Sequence, residues 1–292
     1  MEEALFSDIY GKISRRLSES KGIEEKNLRV LFVGDVVAHP GKRILKNRLK
    51  SYLQQQAVDA CIVNAENVAA GLGVNYPSVK EIFSYGADCI SLGNHAFSCP
   101  DYLRFADSEK KVIRPGNVSE NWPGFSECLL DLGNKGRLLV VTLLGQVFVT
   151  PQADSPFRYF RNNIGRWKAE YKPTNILIDF HAETTSEKGA MGFFADGQVS
   201  LVLGTHTHVQ TADETILPCG TGFISDVGMT GTMAGILGMD AEASVRRLAD
   251  KLPSRYSPAE GPAEMNAVLA DLDIENGKCL KIERIRLYEC ES

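Results

Sequence analysis

The chain has 292 residues, 43% of them hydrophobic and 24% charged, an ordinary globular composition that can bury a sizeable core without disulfides. A formal net charge of -5 argues against a nucleic-acid coat protein, which would carry a basic face, and no apolar stretch reaches membrane-spanning length. Seven cysteines (Cys61, Cys89, Cys99, Cys128, Cys219, Cys279, Cys290) are dispersed without a CxxC pair. That spacing excludes a structural zinc site and, with no secretory apolar core, leads us to expect reduced thiols in a cytoplasmic protein.

The opening residues, MEEALFSDIYGKISRRL, are amphipathic rather than continuously apolar. They predict a helical extension over residues 1–26 preceding one catalytic domain over residues 27–292. From Arg29 the pattern changes to short apolar runs alternating with polar helical stretches. RVLFVGD predicts a strand ending at glycine, and GKRILKNRLKSYLQQQ has helical periodicity. DACIVNAEN predicts a second strand, PSVKEIFSYG a helix, and DCISLGNH a third strand running into a loop. NWPGFSECLLDLGNKGRLLV resembles a hairpin, so antiparallel strands are expected beside parallel ones. The Ser155–Tyr171 stretch predicts a surface helix anchored by Phe157 and Trp167. RLLVVTLLG, NILIDFHAE and VSLVLGTHTH are further apolar runs closed by polar residues or glycine. GFISDVGMTG reads as one more strand-like segment, and KCLKIERIRLYE as a late strand. This alternation places the chain in the α/β class.

Five of these strands end in Asp, Glu, Asn or His, and open α/β sheets build their sites at the carboxyl ends of strands. The chain has five histidines, and four of them (His95, His181, His206, His208) sit in the strand-end clusters GNH, DFH and GTHTH; the fifth is His39. If GTHTH stays extended, His206 and His208 project to one face; a tight loop also lets them approach each other. Asp35, at the tip of VGDVV, offers a carboxylate to a hard cation or, alternatively, a helix cap. Glu66, in NAEN, has two oxygens and could bridge two metals, or bond backbone amides in a loop. Asn94 offers a neutral amide oxygen, and His95 beside it could be a ligand or a general acid. Asp179 and His181 form D-x-H and would face the same side of a strand, with Asp179 or Glu183 available to orient imidazoles. Mixed oxygen and nitrogen donors without thiolate suit Mn²⁺, Fe or Zn²⁺ and are poor for Ca²⁺.

In order along the chain, GDVV, NAEN, GNH, DFHAETTSEK, GTHTHVQTAD and DVGMTG strongly resemble the YmdB-like family of calcineurin-fold metallophosphoesterases. The similarity runs from about Arg29 to the C-terminus. The resemblance implies a four-layered αββα fold with two mixed central sheets and a dinuclear centre of two divalent or mixed-valence ions, Fe or Mn ahead of Zn. It implies one metal on Asp35, Glu66, Asn67 and His208, and a second on Glu66, Asn94, His181 and His206, with Glu66 bridging. His95 then matches the family's catalytic histidine that is not a ligand. Val37 stands where the wider superfamily carries the histidine of its first D-x-H motif, with Asn67 compensating. Ala96-Phe97-Ser98-Cys99 replaces a segment that is more polar or contains tryptophan in many relatives.

The implied activity is metal-dependent hydrolysis of cyclic nucleotides, 2′,3′- or 3′,5′-cyclic, by in-line attack of a metal-bridging hydroxide with His95 as general acid. The expected partner is thus a small phosphodiester, with no stable nucleic-acid complex and no membrane span; a homo-oligomer stays open. Two alternatives stand beside this reading. One is a non-catalytic regulator linked to nucleotides or RNA decay through the same metal site, and the other is a phosphomonoesterase or nucleotidase.

Overall fold

In the first strand, β1 (Asn27–Val33), Leu28, Val30 and Phe32 point to one face and Leu31 and Val33 to the other, and all five are buried. A strand apolar on both faces must be covered on both sides. The computed structural model, which describes residues 27–255 and 257–289, shows what covers it. Residues 1–26, where a helical extension is expected, lie outside the described residues.

β1 belongs to an eight-stranded sheet. From one edge this sheet runs β2 (Asp35–Val36), β12 (Met229–Thr232), β13 (Ala263–Asp273), β1, β3 (Ala60–Asn64), β4 (Cys89–Ser91) and β5 (Val112–Ile113), with β14 (Cys279–Tyr288) paired to β13. β1, β3, β4 and β5 are parallel, whereas β13 runs antiparallel to β1. The second sheet has six strands in the order β10 (Thr215–Ile216), β11 (Gly222–Ile224), β9 (Leu201–Thr205), β8 (Asn175–His181), β7 (Arg137–Leu144) and β6 (Glu127–Asp131). Here β7, β8, β9 and β11 are parallel, and β6 pairs with β7 as the expected hairpin.

The two sheets pack face to face. Leu28, Val30, Phe32 and Ile62 of the first meet Leu138, Val140, Leu177 and Leu203 of the second in one apolar cluster. The outer face of the first sheet carries Leu31, Val33 and Val63, covered by Ile44, Leu45 and Leu49 of α1 (Ala38–Gln55) and by Val79 and Ile82 of α2 (Tyr76–Tyr85). The outer face of the second carries Leu139, Val141, Ile178 and Phe180, covered by Phe160 and Trp167 of α3 (Pro156–Tyr171) and by Met191 of α4 (Thr185–Ala195). The result is the expected αββα stack. Trp167 is fully buried as an anchor; Phe157 is only partly buried, and Phe160 takes the deeper place. The helices start where short polar side chains satisfy free amides. Asn75 accepts from the Ser78 amide at 3.0 Å, Ser155 from Arg158 at 3.3 Å and Thr184 from Glu187 at 3.4 Å.

Two segments depart from expectation. GFISDVGMTG is two short strands, β11 and β12, in different sheets rather than one. The chain turns between them at Asp226, whose Oδ1 accepts from the Gly228 amide at 2.8 Å, and Gly228 adopts a left-handed φ of 85°. Just past this turn Gly228 lies beside Gly34 where β12 and β2 begin to pair, and a Cβ on Gly34 would overlap the Gly228 carbonyl, so the pairing needs glycine there. The second departure is β13, the long strand beside β1, where no strand is expected from the sequence although its segment holds a short apolar run at residues 267–270. Two of its polar members are buried with partners: Arg286 donates to Glu264 at 2.7 Å, and the Asn266 amide nitrogen donates to the Met229 carbonyl at 2.7 Å.

Candidate metal centre

Parallel strands point their carboxyl ends the same way, and five of them deliver the expected donors to one place. Asp35 follows β1, Glu66 and Asn67 follow β3, and Asn94 and His95 follow β4. From the second sheet, His181 closes β8, and His206 and His208 follow β9. His39 lies apart and exposed on α1, 3.8 Å from Glu260. Gly93 permits the convergence, because a Cβ there would sit 2.5 Å from the His181 ring.

His181 is fully buried at the centre. Its Nδ1 lies 2.8 Å from Thr205 Oγ1, and the Thr205 hydroxyl donates to Asp179 Oδ1 at 2.7 Å. A hydroxyl has one proton, so with Thr205 donating to Asp179 it must accept from His181 Nδ1–H. The nitrogen left free to take up a proton or a metal ion is Nε2. Within 3.0 Å of it stand Glu66 Oε1 at 3.0 Å, Asn94 Oδ1 at 2.9 Å and His206 Nδ1 at 3.0 Å. His206 is aimed in the same way: its Nε2 lies 3.1 Å from the Glu183 carboxylate, which takes that proton and turns the Nδ1 lone pair inward.

Four such atoms facing one point repel one another unless a positive charge lies among them, either a proton on His181 Nε2 or a metal cation in its place. Glu66, His181 and His206 each offer a ligand atom, all within 4.8 Å of one another. The donor set is oxygen and imidazole nitrogen, which fits Mn²⁺, Fe or Zn²⁺. Asp35 adds a second sign: its Oδ1 is buried and accepts no hydrogen bond among the described residues, while Oδ2 accepts from the His206 amide at 3.2 Å.

The remaining donors form an outer flank. His208 Nδ1 lies 3.2 Å from the Leu237 carbonyl, so that nitrogen carries the proton and Nε2 faces Asn67 Nδ2 at 3.2 Å. Asn67 Nδ2 also donates to Glu66 Oε1 at 3.2 Å. GTHTH is not extended. His206 and His208 have left-handed φ values of 102° and 67°, so the pair takes the tight-loop alternative. His95 sits half-buried at the rim, its amide donating to Glu66 Oε2 at 3.2 Å and its Nδ1 3.2 Å from Ser98 Oγ. In the departing segment Ala96–Cys99, Phe97 turns away to stack edge-on against Trp122 at 4.7 Å, while Ser98 supplies that polar contact.

The electrostatics tell the same story. Burial would lower the His181 pKa, but the Glu66, Asp35 and Asp179 carboxylates outweigh it and raise it. Burial likewise pushes Glu66 upward, and the adjacent His181 charge more than reverses this. Asp35 is raised to about 6, first by burial. His206 falls to about 3 through burial and the neighbouring His181 charge, which keeps its inward nitrogen unprotonated. This pocket draws positive charge.

Several supporting residues have no strand-end signature. Ser91 and Asn64 donate to Asp179 Oδ2 at 2.6 and 3.1 Å, bracing the carboxylate that sets the His181 tautomer. Asp226 Oδ2 accepts from Thr207 N at 3.0 Å, Thr207 Oγ1 at 2.7 Å and the buried Lys188 ammonium at 2.6 Å. That clamp grips the residue between His206 and His208.

Residues 31–285 match the family described as YmdB-like protein. The chain is 41% identical over 262 residues to the 2′,3′-cyclic-nucleotide 2′-phosphodiesterase of Bacillus subtilis strain 168, covering 90% of this chain and 98% of that protein. Among solved structures, it is similar to a hypothetical protein from Thermus thermophilus, with a TM-score of 0.83 and 37% identity over 90% of this chain and 100% of that one. It is also similar to a phosphatase from Mycoplasma pneumoniae, with a TM-score of 0.84 and 30% identity over 90% of this chain and 94% of that one.

Proposed function

We propose that this chain, which belongs to the YmdB-like protein family, is a metal-dependent phosphodiesterase whose substrates are 2′,3′-cyclic nucleotides. The observation that carries the reading is the set of lone pairs on Glu66, Asn94 and His206 within 3.0 Å of His181 Nε2. The B. subtilis relative's name supplies the substrate class.

In this reading Asp35, Glu66, Asn67 and His208 hold one cation, and Glu66, Asn94, His181 and His206 hold a second. Bound there, a pair of divalent cations supplies Lewis acidity, lowering the pKa of water and offsetting charge on the phosphoryl oxygens. Glu66 faces both groups of donors, which suits a bridging carboxylate. The Asp179–Thr205 relay and the Glu183 carboxylate keep two imidazoles in the ligating tautomer. His95 lies beside the donors, and we assign it the proton that goes to the departing oxygen. Burial lowers its pKa, which makes its protonated ring a stronger acid toward an alkoxide.

The test is turnover of 2′,3′-cyclic AMP by the purified chain with added Mn²⁺, alongside p-nitrophenyl phosphate and its bis-ester. Diester hydrolysis ahead of monoester is expected. His95→Ala should keep its metal content and lose about 10²–10⁴-fold in kcat. Nucleotide binding without hydrolysis under Mn, Fe and Zn would sink the enzyme reading in favour of a regulator.

A further inference from the structure

A cavity of about 510 Å³ adjoins the donor cluster, a size that suits a small organic ligand. The metal-side wall is polar, formed by Glu66 and the three histidines 95, 206 and 208. Another part of the lining is apolar, built from Leu72, Ile236, Leu237, Met239 and Leu248. These come from two chain-distant regions: the loop after β3, and a tight turn closed by reciprocal Ile236–Met239 backbone hydrogen bonds that leads directly into helix α5 (Ala241–Ala249).

This wall is costly to display. Leu72 is 52% exposed, Leu237 49% and Leu248 60%, although each could have been polar without disturbing the core. Leu237 also adopts a left-handed φ of 51°, a conformation a branched side chain avoids. Its carbonyl accepts the His208 Nδ1 proton at 3.2 Å, so the turn that displays Leu237 also orients a donor of the centre. An apolar surface beside a donor cluster that would hold cations fits a ligand with a phosphate at one end, facing those cations, and a flat, weakly hydrated ring at the other.

Resting on the phosphodiesterase reading above, we propose that this wall is the nucleobase subsite, with the base lying against Leu72, Leu237 and Leu248 while the phosphodiester faces the donors. A nucleoside is the group covalently tied to a phosphodiester placed there, and its base is the part that gains from apolar burial. Ser244, the polar member of this wall, donates its hydroxyl proton to the Asp240 carbonyl at 2.7 Å. The subsite therefore holds the ring by area.

The experiment compares kcat/KM for 2′,3′-cyclic AMP with that for methyl riboside 2′,3′-cyclic phosphate, which has the same diester and no base. The wild-type protein should prefer the nucleotide by about tenfold or more, and Leu72→Ser and Leu248→Ser should each cut that preference by about tenfold through KM. Wild-type preference retained in both variants overturns the subsite. A loss seen instead in Phe148→Ala also overturns it, by moving the base to the exposed aromatic two residues before Thr150, whose carbonyl accepts from Asn94. A wild-type protein that hydrolyses neither diester overturns the phosphodiesterase reading, and this inference with it.

Discussion

Thr205 makes the centre's chemistry depend on a single proton. Its hydroxyl donates to Asp179 and accepts from His181, which fixes the imidazole with its free nitrogen toward Glu66, Asn94 and His206. Thr205→Val keeps the shape and removes both bonds. We expect metal affinity, measured by calorimetric titration, to fall about 10–100-fold, with Thr205→Ser restoring most of it. Equal affinity in the valine variant would show that Asp179 and Thr205 only pack. At this scale the donors were legible, because carboxylates, amides and imidazoles at five strand ends form a chemically unusual set. The relay was not. Asn64, Ser91 and Thr205 are common residues on three different strands, and only their contact with Asp179 gives them meaning.

Among the elements, α4 does more than cover a sheet. It carries Lys188 into the core, where the ammonium pairs with Asp226 at 2.6 Å, and both are 1% exposed. Asp226 in turn fixes Thr207 between two histidines in left-handed conformations, each costing on the order of 1–3 kcal/mol. Asp226→Ala should destabilise the fold by about 3–5 kcal/mol in urea unfolding, since it strands a buried ammonium. Adding Lys188→Met should recover part of that loss; no recovery would contradict the ion pair as the cause. The parallel strands and their helices follow from apolar periodicity. β13 and the split of GFISDVGMTG do not, because Glu264, Asn266 and Asp226 look like surface residues until a partner satisfies each one.

At the scale of the whole molecule, the centre ties one sheet to the other. Asp35, Glu66 and Asn94 come from the first sheet, and His181, His206 and His208 from the second. A cation between them would therefore stabilise the sandwich as well as serve the chemistry. With metal at about a hundred times its dissociation constant the gain is about 2.7 kcal/mol. For a domain of this size that corresponds to about 4–5 °C in Tm. Chelation should lower Tm by that amount and added Mn²⁺ should restore it. A melting curve indifferent to both would mean that the donors hold no metal.

The sequence by itself determined the α/β class and the residue types that close its strands, while the αββα layering was what the resemblance of its motifs implied. The first two depend on local spacing: apolar residues two or four apart, and polar residues just past each run. Only the tertiary structure decided which nitrogen of each imidazole faces inward, how the GTHTH loop turns, and which leucines stand opposite the donors. Each of these depends on a distance of a few ångströms between segments far apart in the chain, such as Leu237 against His208 or Thr205 against His181. No local pattern encodes such a distance; packing two sheets face to face, with a close approach at Gly93, creates it.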